Sequence, residues 1–166
     1  MFQKFKNSLK PSPLSPELLV ANSVLHTAFS KGASISHLKL QKIIYFVYKK
    51  HLQDTGYALF GSFFEVWTYG PVLPSVYQCF KKYGSNGILD YAYSTLDKDK
   101  RIFLVSSADV AFHAALEWVW AVYGNLDAMA LVNITHSEGT AWSIADAKES
   151  RFIDDLDIMR EGWVYG

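Results

Sequence analysis

Cysteine is almost missing from this chain: there is one, Cys79, in 166 residues. A lone cysteine excludes an intramolecular disulfide and leaves no thiolate set for structural zinc. Long apolar runs are missing too, and nothing approaches the ~20 residues that cross a bilayer. The basic start Met1-Phe2-Gln3-Lys4-Phe5-Lys6 has no apolar stretch behind it, so no secretory signal is read and a cytoplasmic protein without a membrane partner is expected. Net charge is absent, since 16 basic residues balance 16 acidic ones. That speaks against a dedicated nucleic-acid binder, which usually carries a clear positive excess. Enzyme signatures are scarce as well: there is no phosphate-binding glycine loop, no Gly-x-Ser-x-Gly and no His-Glu-x-x-His. Neither a metal nor a cofactor is expected.

Aromatic residues are abundant. With 50% apolar and 16% aromatic residues the chain is far from disorder. It holds more aromatics than a small core needs, which leaves some to meet a partner. The charge is also unevenly spread: residues 1–53 hold 8 lysines and a single acid, Glu17. That asymmetry reads either as a chance dipole or as a basic face that docks something acidic.

Residues 1–14 read as a flexible basic arm, with Lys4, Lys6 and Lys10 before Pro11 and Pro13. One domain follows over 15–166. Ser15 and Pro16 predict a helix start, and Gly32 predicts its end. A second helix is predicted from near Ser36 to before Gly56. Leu40, Ile43, Ile44 and Val47 give it a core face. Gln41, Tyr45 and Tyr48 lie on a neighbouring face, with Lys39, Lys42, Lys49 and Lys50 supplying charge.

"FFEVWTY" (63–69) predicts a short strand, and Gly70, Pro71 and Pro74 a rigid junction into a helix. Residues 88–105 suggest a hairpin around Asp97–Lys100. A long helix is predicted from about Ser107 to Tyr123, with Ser106 and Asp109 at capping-box spacing. A shorter helix spans roughly Leu126 to Ile134, and the acidic tail, Asp154 to Glu161, forms a last one. The sum is a mainly α, α+β fold: a compact helical domain with a small antiparallel β element.

Two clusters invite a catalytic reading. His113 and Glu117 are four apart, a spacing that more often gives a helix pair than a metal site. "THSEGTAW" (135–142) concentrates Thr135, His136, Ser137 and Glu138. Adjacent residues rarely present nucleophile to base, so turn-stabilising roles are favoured, with Trp142 packed inward. Cys79 reads as a small buried filler.

Three segments, "LKLQKIIYF" (38–46), "EVWTYGPVLPSVYQCFKKYG" (65–84) and "ITHSEGTAW" (134–142), together resemble the Panacea, or SocA-like antitoxin, domain of bacterial and phage toxin–antitoxin systems. The matching positions are Leu38, Leu40, Gln41, Lys42 and Tyr45, then Trp67, Tyr69, Gly70, Pro71, Val72, Pro74, Val76 and Tyr77, then Thr135, His136, Glu138 and Trp142. The family usually has a Pro-Trp pair soon after its Thr-His, where this chain has Thr140-Ala141-Trp142.

The resemblance implies a non-catalytic antitoxin that binds a toxin encoded beside it. The alternative is an adaptor that delivers the toxin to an AAA+ protease such as ClpXP. It also implies residence on prophages or other mobile elements. A small enzyme built on Thr135–Trp142 and a DNA-binding regulator rank lower. The candidate partner-binding residues are Lys39, Lys42, Tyr45, Tyr48 and Lys49 on the second helix, and Trp67, Tyr69, Pro71, Pro74 and Tyr77. The acidic tail is the rival face. Whether Tyr69–Tyr77 forms a binding patch or only fixes the strand-to-helix junction stays open at this level.

Overall fold

Side-chain caps set the helix starts. Ser15 accepts the Leu18 N–H at α1 (Pro16–Ser30), and Ser36 accepts that of Lys39 at α2 (His37–Thr55). Gly56 ends α2 in the left-handed conformation, φ 75°. The computed structural model describes residues 14–165, so the expected basic arm, Leu14 apart, lies outside the described residues. After α2 come β1 (Glu65–Trp67), β2 (Gly70–Val72) and α3 (Pro74–Phe80), which runs on as a 3-10 turn, Lys81–Tyr83. Then follow α4 (Val110–Tyr123), α5 (Ala128–His136), α6 (Ala141–Ala147) and α7 (Asp155–Arg160). The mainly α, α+β expectation is met by seven helices and one antiparallel hairpin among the described residues. No helix among them is long and apolar enough to cross a membrane.

The core forms around α2. Every residue from Leu40 to Lys49 is buried, and α1, α4, α5, α7 and β2 all pack against this helix. An amphipathic helix with one solvated face is therefore the wrong picture. α2 is enclosed from Leu40 to Lys49, and Gln41, Lys42, Tyr45, Tyr48 and Lys49 turn their polar groups into the molecule.

Several elements differ from expectation: α6 was not foreseen, α5 lies two residues later than Leu126–Ile134, and the strand expected over 63–69 is β1 alone, with β2 after it. α4 starts at Val110, because the Asp109 carboxylate accepts the Phe112 N–H at 3.0 Å and makes the better cap; Ser106 instead closes the preceding turn. The expected hairpin over 88–105 does not form. Its backbone is satisfied from α1: Asn22, wholly buried, exchanges hydrogen bonds with both the Ala92 C=O (2.9 Å) and N–H (2.8 Å), and also donates to Phe103 O. Ser23 Oγ accepts the Val105 N–H at 3.0 Å. A helix side chain thus takes the place of the partner strand.

Candidate functional site

The hairpin Glu65–Val72 is where the three sequence motifs converge. Glu65 pairs with Val72, Val66 with Pro71 and Trp67 with Gly70. From α2, Gln41 reads Leu73 twice, its Nε2 donating to the carbonyl at 3.1 Å and its Oε1 accepting the N–H at 2.9 Å. One position on, Lys42 Nζ donates to Pro71 O at 2.7 Å. From the α5–α6 connection, Trp142 Nε1 donates to Trp67 O at 3.1 Å, while its ring stacks on His136 with centroids 3.9 Å apart. Gly70, at φ 96°, fits where a Cβ would come within 2.7 Å of Thr135 Oγ1 and 2.9 Å of Lys42 Cε. Gln41, Lys42, Gly70, Pro71, Thr135, His136 and Trp142 thus form one joint that fixes the hairpin on the helical body.

Lys42 is fully buried, and among the described residues no carboxylate pairs with it. Burial pulls its ammonium down to about 7 from an ordinary 10.5. Burial, and after it the Lys42 charge, lowers His37 and His136. The unfolded chain holds the Lys42 proton up to about 10.5, whereas the folded chain releases it near 7. Unfolding therefore takes up a proton between those values, and stability rises with pH there by up to ~1.4 kcal/mol per pH unit. Urea unfolding at pH 7.5 and 9 should show a shallower rise in Lys42→Met than in the natural chain. Groups away from Lys42 are common to both proteins and cancel; His37 and His136, both lowered from 6.5, bind little proton over this range.

The expected basic docking face requires correction. Lys42, Tyr45, Tyr48 and Lys49 are all at most 1% exposed, so they cannot meet a partner. Their partners are internal, and for Tyr45, Tyr48 and Lys49 they come from the acidic tail that was the rival face. Tyr45 donates to Glu161 Oε2 at 2.6 Å and Lys49 to Glu161 Oε1 at 2.8 Å. Tyr48 donates to both Asp155 oxygens at 2.9 Å. Lys49 also lies 4.0 Å from the centre of the Trp163 ring. Burial depresses the Lys49 ammonium despite the carboxylate beside it. It raises Asp155 and, with Glu161 adjacent, raises Tyr45 further still. Lys39 is half-buried and spends its ammonium on Gly124 O at 2.6 Å. Leu38 is half-buried and Leu40 lies in the core.

The Thr135–Trp142 segment is tied up in backbone bonds. Thr135 Oγ1 donates to Val132 O, Ser137 Oγ to Asn133 O, and Thr140 Oγ1 to both Thr135 O and Ser137 O. The Ser137 hydroxyl is therefore not presented to His136, whose Nε2 is buried without a partner. Glu138 is exposed. The absence of a proline before Trp142 also has a physical counterpart. Ala141 is the first residue of α6, a position that tolerates proline, but here its N–H is in use, donating to Glu161 Oε2 at 2.8 Å. His113 meets Ser106 O rather than Glu117, and no metal-holding group of three His, Cys, Asp or Glu occurs among the described residues. Cys79 is half-buried, with its thiol pushed up by burial.

What the hairpin displays outward is aromatic. Alternation along 63–67 sends Phe64 into the core, with Val66 packed against it, and leaves Phe63, Glu65 and Trp67 on the other face. Phe152 pairs across from Glu65 and its ring lies 6.1 Å from that of Phe63. Trp67 packs edge-on against Tyr77 at 4.9 Å, and Tyr77 against His37 at 5.7 Å. Tyr69, at the hairpin turn, is 57% exposed. Of the expected patch, Tyr69 is exposed, Trp67, Pro74 and Tyr77 are half-buried, and Pro71 is buried in the junction. Phe63 and Phe152 were not foreseen, although the period-2 alternation of Phe63, Glu65 and Trp67 was there to be read.

The family model for the SocA-like antitoxin, Panacea domain, matches residues 40–143. The chain belongs to this family. It is also 36% identical over 129 residues to "Antitoxin SocA" of Caulobacter vibrioides (strain NA1000 / CB15N), covering 75% of this chain and 67% of that protein. No solved structure matches the chain. In this Panacea domain the matched span holds the whole joint: Gln41 and Lys42 near one end, the hairpin in the middle, and Trp142 near the other.

Proposed function

We propose that this protein is a non-catalytic antitoxin, a single Panacea domain over residues 15–166, which neutralises a cognate toxin by direct protein–protein binding. The toxin is the product of a neighbouring gene, on a prophage or other mobile element, and the pair acts in the cytoplasm. Family membership supports the antitoxin role. The observation that favours binding is the aromatic outer face of the hairpin. Phe63 and Tyr69 are more than half exposed on a backbone that Gln41, Lys42 and Trp142 hold fixed. A preorganised face loses little entropy on association, and tyrosine and tryptophan dominate binding hot spots.

Growth is the test. The neighbouring gene is expressed alone and together with the tagged chain. Arrest in the first case, with rescue and co-purification in the second, supports the proposal; a harmless neighbour that is not retained contradicts it. The adaptor reading, for which the basic residues Lys4, Lys6 and Lys10 of the sequence lie outside the family match as a candidate second contact, predicts a shortened toxin half-life in rescued cells. An unchanged half-life assigns the rescue to binding alone.

A further inference from the structure

The two edges of the small sheet are built differently. On the β2 side, Pro71 has no N–H to offer and its carbonyl is held by Lys42, while both Leu73 backbone groups are held by Gln41. That edge is sealed. The other edge is the segment 151–153, joined to β1 by Val66 N–H to Arg151 O and Ile153 N–H to Phe64 O, each 2.9 Å. These bonds flank the Glu65–Phe152 pair, so the Phe152 N–H and C=O point away from β1. Among the described residues neither group has a hydrogen-bond partner. No proline blunts this edge, and its charged residue, Arg151, is turned onto Glu65 at 2.9 Å.

An open edge is a template for one more strand. Here it adjoins an open cleft of about 370 Å³ lined by the Phe63 and Phe152 rings and by Lys148, Asp154, Asp155 and Asp157. The rings offer apolar contact; Asp154 and Asp157 outnumber Lys148, which lies 3.9 Å from Asp157, while the Asp155 carboxylate is turned onto Tyr48.

We propose that the edge at Phe152 takes up an extended segment of the toxin by strand addition. That segment seats an apolar side chain between Phe63 and Phe152 and a lysine or arginine against the Asp154–Asp157 rim. Backbone bonds at such an edge supply affinity, and the flanking pockets supply specificity. This rests on the antitoxin reading above and adds where, and by which backbone geometry, the toxin is held.

The test uses the full chain and the purified product of the adjacent gene, with affinity read by calorimetry. Phe152→Pro removes the outward N–H, which makes no hydrogen bond within the fold, together with the ring, and is expected to weaken binding about tenfold or more. Phe152→Ala keeps the N–H, and should weaken it less. Amide exchange at Phe152 in the natural chain should slow on complex formation, a readout that stands even if the proline variant unfolds. If the natural chain rescues growth and binds, but a folded Phe152→Pro binds within about twofold of it, strand addition is wrong and the antitoxin reading survives. Strand addition is equally wrong if Phe152 exchanges as fast in the complex as free, the result expected when a helix or a folded face of the toxin docks instead. If the natural chain neither rescues nor binds, the antitoxin reading falls and strand addition falls with it.

Discussion

Replacing Glu161 by alanine is expected to lower the melting temperature by roughly 6–20 °C. The carboxylate is buried and serves three donors at once: the Tyr45 hydroxyl, the Lys49 ammonium and the Ala141 N–H. Removing it strands a buried cation, an error that costs about 3–5 kcal/mol, and each kcal/mol shifts a domain of this size by about 2–4 °C. The loss should be specific to the stranded charge. Lys49→Met combined with Glu161→Ala is therefore expected to recover much of the stability, because a buried ion pair exchanged for apolar volume is often neutral. Calorimetric melting of the single and double variants checks this. Equal destabilisation in both would mean that the ion pair is not what ties α7 to α2.

Gly70→Ala is the second large effect. The left-handed backbone alone costs a non-glycine residue about 1–2 kcal/mol. Here the new Cβ also lands 2.7 Å from Thr135 Oγ1 and 2.9 Å from Lys42 Cε, both buried. Overpacking of that kind adds ~1–3 kcal/mol. Gly56→Ala is the matched control, with φ 75° and nothing within 4 Å of the new atom. Urea unfolding should show Gly70→Ala as the costlier by about 1–3 kcal/mol. Equal losses would indicate that the joint between hairpin and α2 has room to spare.

How far the sequence carried depends on how local each cause was. Ser15, Ser36 and Gly56 act within one turn of themselves, so the limits of α1 and α2 were readable directly. The burial of α2 was not. Lys42 and Lys49 have the spacing of a solvated face, and what reverses that reading lies far along the chain: Pro71 O for one, Glu161 for the other. The hairpin expected over 88–105 failed for the same reason, since Asn22, 70 positions away, takes the bonds a second strand would have made.

Burial divides the stretch Tyr69–Tyr77 residue by residue: Gly70 and Pro71 are buried in the junction, Tyr69 is exposed, and Pro74 and Tyr77 are half-buried, as is Trp67. Phe152 reached that face only through its pairing with Glu65, 87 positions earlier, and no local pattern announces such a pairing. The motifs converge on the joint, and Phe63 and Phe152 lie outside them.

The decisive comparison puts two proteins through one rescue assay. The natural chain and a Phe63→Ala/Tyr69→Ala variant are each co-expressed with the neighbouring toxin, with growth and co-purification recorded from the same cultures. Both substituted side chains are more than half exposed, so the variant should melt within a few degrees of the natural chain. Rescue and co-purification are expected from the natural chain, and loss of both from the folded variant. Equal rescue by the two would contradict binding through this face, and would move the toxin contact away from the outer side of the hairpin.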